Sequence, residues 1–217
     1  MASLIVVTGF EPFGGERINP SWEVARALDG EIIEGLAVKA IRAPVNCVKA
    51  ATRVTDAIER FRPRAFLGLG QAGGRAAISL ERVAINLFQN RNGGQFDTRG
   101  DARTLIDGAP DAYFARLPLA AILKTLRRHR IPATISLSAG AYACNAAMYA
   151  ALHALRRRPA VPAGFIHLPY DAAQAARRPA SPSMSLEMME RSVRLAIAVI
   201  SGAADETGRR RFRRPPT

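Results

Sequence analysis

Strands alternating with helices along most of the chain predict an α/β fold, a three-layer sandwich whose twisted, mostly parallel sheet carries helices on both faces. Leu4 to Val7 is a continuous apolar, β-branched run of the kind buried on both sides of a parallel sheet. Asn46 to Phe61 mixes apolar and charged residues with helical period, and Arg64 to Leu69 then reads as a strand again. The same succession returns at Ala133 to Leu137, followed by Ala, Met and Leu at helical spacing from Asn145 to Arg157.

Taken in order, the first strand leads into Thr8 to Gly15, a loop bearing Phe10 and Phe13. Asn19-Pro20-Ser21 opens a helix that runs to about Leu28, with Asn19 or Ser21 as the cap and Pro20 in the first turn. Ile32-Ile33 and Leu36 to Ile41 form a hairpin arm, and Ala77 to Leu87 alternates as one strand. Gln89 to Asp107 is polar and glycine-containing, a long loop of the sort that tends to be functional. Asp111 to Arg130 reads mostly as helix, reset at Pro118. Gly164 to Tyr170 is a strand that Pro169 stops, and Ser183 starts the last helix, whose apolar stripe belongs to the core.

Length and composition fit one domain, residues 1–208, followed by a basic, disordered tail, 209–217. Hydrophobic residues make up 48% and charged residues 23%, as in ordinary globular proteins, so wider disorder is not expected. The N-terminus has no basic stretch ahead of a short apolar run, and no segment approaches transmembrane length; a cytoplasmic protein without membrane contact is expected. With two cysteines and three histidines in no metal-binding spacing, neither a disulfide nor a metal is expected. The net charge of +13 raises a nucleic-acid partner as a possibility. Its distribution argues against one: the charge sits in Arg209-Arg210-Arg211 and Arg213-Arg214 and on solvated helix faces, with no stripe alternating with aromatics.

Gly68-Leu69-Gly70-Gln71-Ala72-Gly73 matches the dinucleotide fingerprint in letters only, because a strand rather than a helix follows it. The chemistry points elsewhere. Cys144 stands where a strand hands over to a helix, and the free N–H groups and positive dipole end of a helix start favour a thiolate and an oxyanion. His167 ends an apolar strand at the same edge of the sheet, where it can take a thiol proton and later protonate a leaving amine. Glu81 is an acid inside an apolar strand; it forms a structural salt bridge or orients a histidine. Strand alternation puts Arg82 on the opposite face, so Glu81 needs another donor. Cys144 could equally be a small buried hydrophobe, as most free cysteines are, and each histidine a structural one.

Thr8-Gly9-Phe10-Glu11-Pro12-Phe13-Gly14-Gly15 with Asn19-Pro20-Ser21, Gly73-Gly74-Arg75 leading to Glu81-Arg82-Val83-Ala84-Ile85-Asn86, Ala139 to Asn145, and Gly164 to Tyr170 together closely resemble the pyroglutamyl peptidase I family, in the same order and as far as about Ala203. The resemblance implies a cytosolic cysteine exopeptidase that removes an N-terminal pyroglutamyl residue from blocked peptides, without a cofactor and often as a homotetramer. It implies Cys144 as nucleophile, His167 as general base and acid, and Glu81 as its orienter. Arg91 and the Cys144 N–H would hold the oxyanion. Phe10, Phe13 and Tyr142 match aromatic positions of the lactam pocket, and Asn19 and Gln71 match polar contacts to the ring. After Arg91 the chain reads Asn92-Gly93-Gly94-Gln95-Phe96-Asp97 where the family commonly has Ile-Pro-Asp-Asn, and Ala143 stands where bulkier residues are common; both bear on affinity and substrate breadth. The competing readings are a same-fold protein with altered or lost specificity and a basic nucleic-acid-associated module.

Overall fold

The computed structural model describes residues 3–88 and 103–212, with side chains as far as Gly202. Its seven-stranded sheet contains β1 (Ser3–Phe10), β2 (Ile32–Ile33), β3 (Leu36–Ala43), β4 (Ala65–Gln71), β5 (Ile78–Glu81), β8 (Ala133–Ser136) and β9 (Ala163–Leu168), in the order β2-β3-β1-β4-β9-β5-β8. The pairs β1/β3, β1/β4, β4/β9 and β5/β8 are parallel, while β2/β3 and β5/β9 are antiparallel. Helices cover both faces. On one, α2 (Cys47–Phe61) packs on α4 (Ala143–Ala154); on the other, α1 (Pro20–Ala27) and α3 (Leu119–Arg128) pack on α6 (Leu186–Phe212). The expected α/β architecture is present.

Local chemistry explains several boundaries. Asn19 caps α1 by accepting the Ser21 N–H, with Pro20 in the first turn, and Asn46 caps α2 through the Lys49 N–H. α4 is buried almost all round, and its Ala146, Ala147, Ala150 and Ala151 are small enough to let it lie between the sheet and α2.

Other elements differ from the sequence reading. The strand expected from Ala77 to Leu87 breaks at Arg82: β5 stays in the main sheet, while β6 (Val83–Ile85) pairs antiparallel with β7 (Ala112–Phe114) in a small second sheet. The start of the helix expected from Asp111 is therefore a strand, and α3 begins only after Pro118. The backbone of β7 finds partners in β6, which local periodicity cannot reveal. β8 is an edge strand rather than a buried one, with Thr134 and Ile135 exposed. β1 extends through Phe10, so Thr8, Gly9 and Phe10 are strand and not loop. A short helix α5 (Ala172–Ala175), closed by a capping box between Asp171 and Gln174, went unread, and α6 starts at Leu186 rather than Ser183.

Candidate active site

Three glycines of β4 and its following turn clear the ground for the site. A Cβ on Gly68 would lie 2.2 Å from the Phe165 ring, one on Gly70 would lie 2.7 Å from Cys144 Sγ, and one on Gly73 would lie 2.0 Å from the Tyr170 ring. All three positions of the apparent dinucleotide fingerprint are thus explained by close packing. Cys144 sits in the first turn of α4 with its sulfur over Gly70, and Gly70 pairs in register with His167 on β9. Phe165, two residues before His167, puts its ring 5.0 Å from the imidazole and 6.4 Å from Phe10.

Glu81 ends β5 at zero exposure, opposite Phe165 across the antiparallel β5/β9 pair. Its Oε1 accepts from His167 Nδ1 at 2.7 Å and from an Arg75 NH group at 2.8 Å. Burial pulls the carboxyl upward, but His167, the nearby Ser136 hydroxyl and Arg75 together hold it below the ordinary glutamate value. An ionised carboxylate only accepts, so His167 Nδ1 carries a proton, and in the neutral imidazole the lone pair is then on Nε2. Glu81 Oε2 is buried without a hydrogen-bond partner among the described residues.

The thiol differs from its sequence-based description. Burial first, then the charge of Glu81 and the neighbouring Cys47, push Cys144 up to about 12, against smaller downward pulls from Arg75 and its own N–H. The helix start does not hold a resting thiolate. It does leave donors open: Tyr142 at the head of α4 makes no side-chain cap, whereas α1, α2 and α5 are capped by Asn19, Asn46 and Asp171.

The remaining candidates fall in different places. Phe10 closes β1 and is buried, Phe13 is half-buried in the loop after it, and Tyr142 is half-exposed. Asn19 is buried, accepting from Ser21 N–H and Oγ–H and donating to the Glu11 C=O. Gln71 follows Gly70 on the strand, so alternation turns its side chain to the other face of the sheet, where its Oε1 accepts from Gln174 Nε2 at 3.0 Å. Arg91 and the altered loop 92–101 lie outside the described residues. Among the described residues, no cluster of three or more His, Cys, Asp or Glu side chains could hold a metal ion, and no helix is long and apolar enough to cross a membrane.

Sequence reasoning missed three supporting side chains. Arg75, six residues before the buried Glu81, is one of them, and an Arg so close to an acid in an apolar strand was a usable signal. Gln174 is buried beneath Gln71. Asn145, next to Cys144, bonds the Ile85 N–H, the Ile85 C=O and the Leu87 C=O, tying β6 to the helix that carries the thiol. Of the other histidines, His129 bonds the Thr125 C=O of its own helix, and His153 bonds the Tyr113 hydroxyl at 2.9 Å.

A thiol beside a histidine of fixed tautomer, backed by a buried carboxylate at the carboxyl edge of an α/β sheet, is the equipment of a cysteine hydrolase. Comparison with known proteins narrows the class. A model of the pyroglutamyl peptidase family matches residues 3–203. A pyrrolidone-carboxylate peptidase of Klebsiella pneumoniae is 45% identical over 200 residues, covering 90% of this chain and 91% of the relative. One from Cupriavidus taiwanensis is 41% identical over 204 residues, covering 93% and 94%. The crystal structure of pyroglutamyl peptidase I from Bacillus amyloliquefaciens superposes with a TM-score of 0.84 at 33% identity, covering 93% of this chain and 96% of that one. A variant pyrrolidone carboxyl peptidase from Pyrococcus furiosus gives 0.81 at 39% identity, covering 91% and 97%. The chain belongs to the pyroglutamyl peptidase family of cysteine peptidases.

Proposed function

We propose that the protein hydrolyses the bond after an N-terminal pyroglutamyl residue of blocked peptides, with Cys144 as nucleophile, His167 as general base and acid, and Glu81 as the group that orients the imidazole. The observation that carries this reading is the Glu81–His167 bond, which puts a proton on Nδ1 and so assigns proton exchange with the thiol to Nε2, at the strand end where the Cys144 sulfur lies over Gly70.

Because the thiol rests protonated, its proton moves to His167 Nε2 as sulfur attacks the scissile carbonyl carbon. The carbonyl electrons move onto oxygen, and the N–H groups at the open start of α4 face that charge, with Arg91 as the further donor the family resemblance supplies. Collapse expels the peptide amine, which takes the His167 proton, and leaves a thioester. Water then gives a proton to His167 and its oxygen to the acyl carbon; the thiolate leaves and recovers that proton. Atoms and charge balance through both halves.

A pyroglutamyl ring is flat and uncharged, so the aromatic side chains of Phe10, Phe13 and Tyr142, which the family resemblance assigns to the pocket, suit it. An ordinary N-terminus would bring an ammonium into the same surroundings and lose several kcal/mol of hydration. A homotetramer in the cytoplasm is part of the same proposal, on family resemblance, and light scattering with cell fractionation tests it.

The decisive assay is release of a fluorescent amine from a pyroglutamyl amide, with glutamyl and prolyl amides for comparison and Cys144→Ala as control. Turnover of the pyroglutamyl compound alone, lost in the variant, is expected. A folded, reduced protein that ignores it, or a variant that keeps the activity, overturns the proposal.

A further inference from the structure

The place where β1 leaves β4 is marked by a diverted hydrogen bond. Glu11 donates its N–H to Ala43 C=O of β3 at 3.0 Å, so alternation turns the Phe10 N–H the other way, toward β4. Pairing of β1 with β3 continues to Phe10 opposite Ala43, but pairing with β4 stops at Thr8 opposite Gly68. Two more residues of ladder would set Phe10 opposite Gly70 and give its N–H to the Leu69 C=O. Instead the Phe10 N–H donates to Ser21 Oγ at 3.0 Å.

Ser21 is built into that position. Its hydroxyl donates to Asn19 Oδ1 at 2.8 Å, and its N–H goes to the same oxygen at 3.1 Å. Its backbone can press on β1 only because Gly9 has no side chain: a Cβ there would stand 2.3 Å from the Ser21 carbonyl oxygen. Ser21 is fully buried, so the bond is made away from competing water. The strands that part here are also those at which the sheet order reverses, since the chain goes from β1 to β3 on one side and then to β4 on the other. Ligands of α/β proteins lie at such points, outside the carboxyl ends of the strands. Here the lips of the opening are Phe10 and Gly70, and the Cys144 sulfur lies over Gly70.

We propose that Ser21 is a positioning residue for substrate recognition: by taking the Phe10 N–H it keeps β1 parted from β4 and so sets the slot in which the lactam ring lies beside Cys144. The inference rests on the pyroglutamyl reading above. Ladder-paired strands stand about 4.8 Å apart, which leaves no room for a ring between them. Asn19, matched by resemblance to a ring contact, acts here through Ser21.

The test measures kcat and KM for a pyroglutamyl amide, and Ki for 2-pyrrolidone as a free lactam, in the wild type, Ser21→Ala and Ser21→Cys. KM and Ki should rise together, by about tenfold in Ser21→Ala and by less in Ser21→Cys, which keeps the volume but accepts hydrogen bonds poorly. The loss should fall on KM and Ki rather than on kcat or on the rate of Cys144 alkylation by iodoacetamide. Unchanged Ki in folded Ser21→Ala, or a fall in kcat with Ki unmoved, overturns the inference. Should Ser21→Ala not fold, an unchanged Ki in Ser21→Cys overturns it equally. A wild type that leaves the pyroglutamyl amide intact defeats the functional reading itself, a result distinct from an active wild type with unaffected variants.

Discussion

Two neighbouring helices each carry a cysteine in the first turn, and the surroundings of the two thiols differ. α2 begins at Cys47 and α4 at Ala143-Cys144, and the helices pack on each other. Burial raises both thiols. The start of α2 is closed by the Asn46 side chain, while the start of α4 has no side-chain cap. Cys144 alone lies over the glycine whose register partner is His167, and His167 is in turn held by Glu81. A helix start and a raised thiol are therefore common to both cysteines. On the proposed mechanism the difference is a base of fixed tautomer, which removes the proton that burial would otherwise retain.

The sharpest way to break this comparison is to exchange the roles. Cys144→Ala should lower kcat by at least about 10⁴-fold, whereas Cys47→Ala should change kcat/KM by less than about twofold; steady-state rates on the pyroglutamyl amide decide. Next comes Glu81→Gln, which releases the tautomer and should cost about 10³- to 10⁴-fold in kcat. The same substitution has a stability signature. The folded carboxyl lies below its ordinary value, so its stabilisation is present above the ordinary glutamate range and is lost as pH falls through the folded value. Urea unfolding of Glu81→Gln across acidic pH should show a flatter loss than the wild type.

A smaller effect separates the thiols at alkaline pH. Cys144 is raised to about 12 when folded, so its share of stability is complete below the unfolded thiol value of about 8.5 and drains away as pH climbs toward the folded one. Cys144→Ala should flatten the alkaline fall in stability, and alkylation of Cys144 should lack a plateau near neutral pH. A plateau there would reveal a resting thiolate and contradict the base-assisted route. The smallest effects compare the two asparagines beside the cysteines. Asn145→Ala strands backbone groups of Ile85 and Leu87 and should cost about 2–3 kcal/mol. Asn46→Ala removes one cap and should cost about 1 kcal/mol with no change in kcat, as thermal unfolding and rates would register.

Much of this was legible in the chain. Pro20 with Asn19, the apolar run at Leu4 to Val7 and the period of Asn46 to Phe61 announced their elements, because caps and periodicity act within a few residues. Glu81 stood out as an acid in an apolar strand, and His167 as a histidine at a strand end. β7 was read as helix because its stabilising partner, β6, is distant in sequence. The edge position of β8 could not be inferred either, since an apolar strand looks the same wherever the sheet order places it.

The sequence by itself determined most of the alternation of strands and helices, the starts of α1, α2 and α4 and the residue types needed for thiol chemistry, since each depends on neighbours along the chain. Only the tertiary structure decided which glycine Cys144 covers, which nitrogen of His167 meets Glu81, that burial raises the thiol, and where β1 parts from β4. Those outcomes depend on burial and on hydrogen-bond partners many residues away, and such partners meet only when the sheet is assembled.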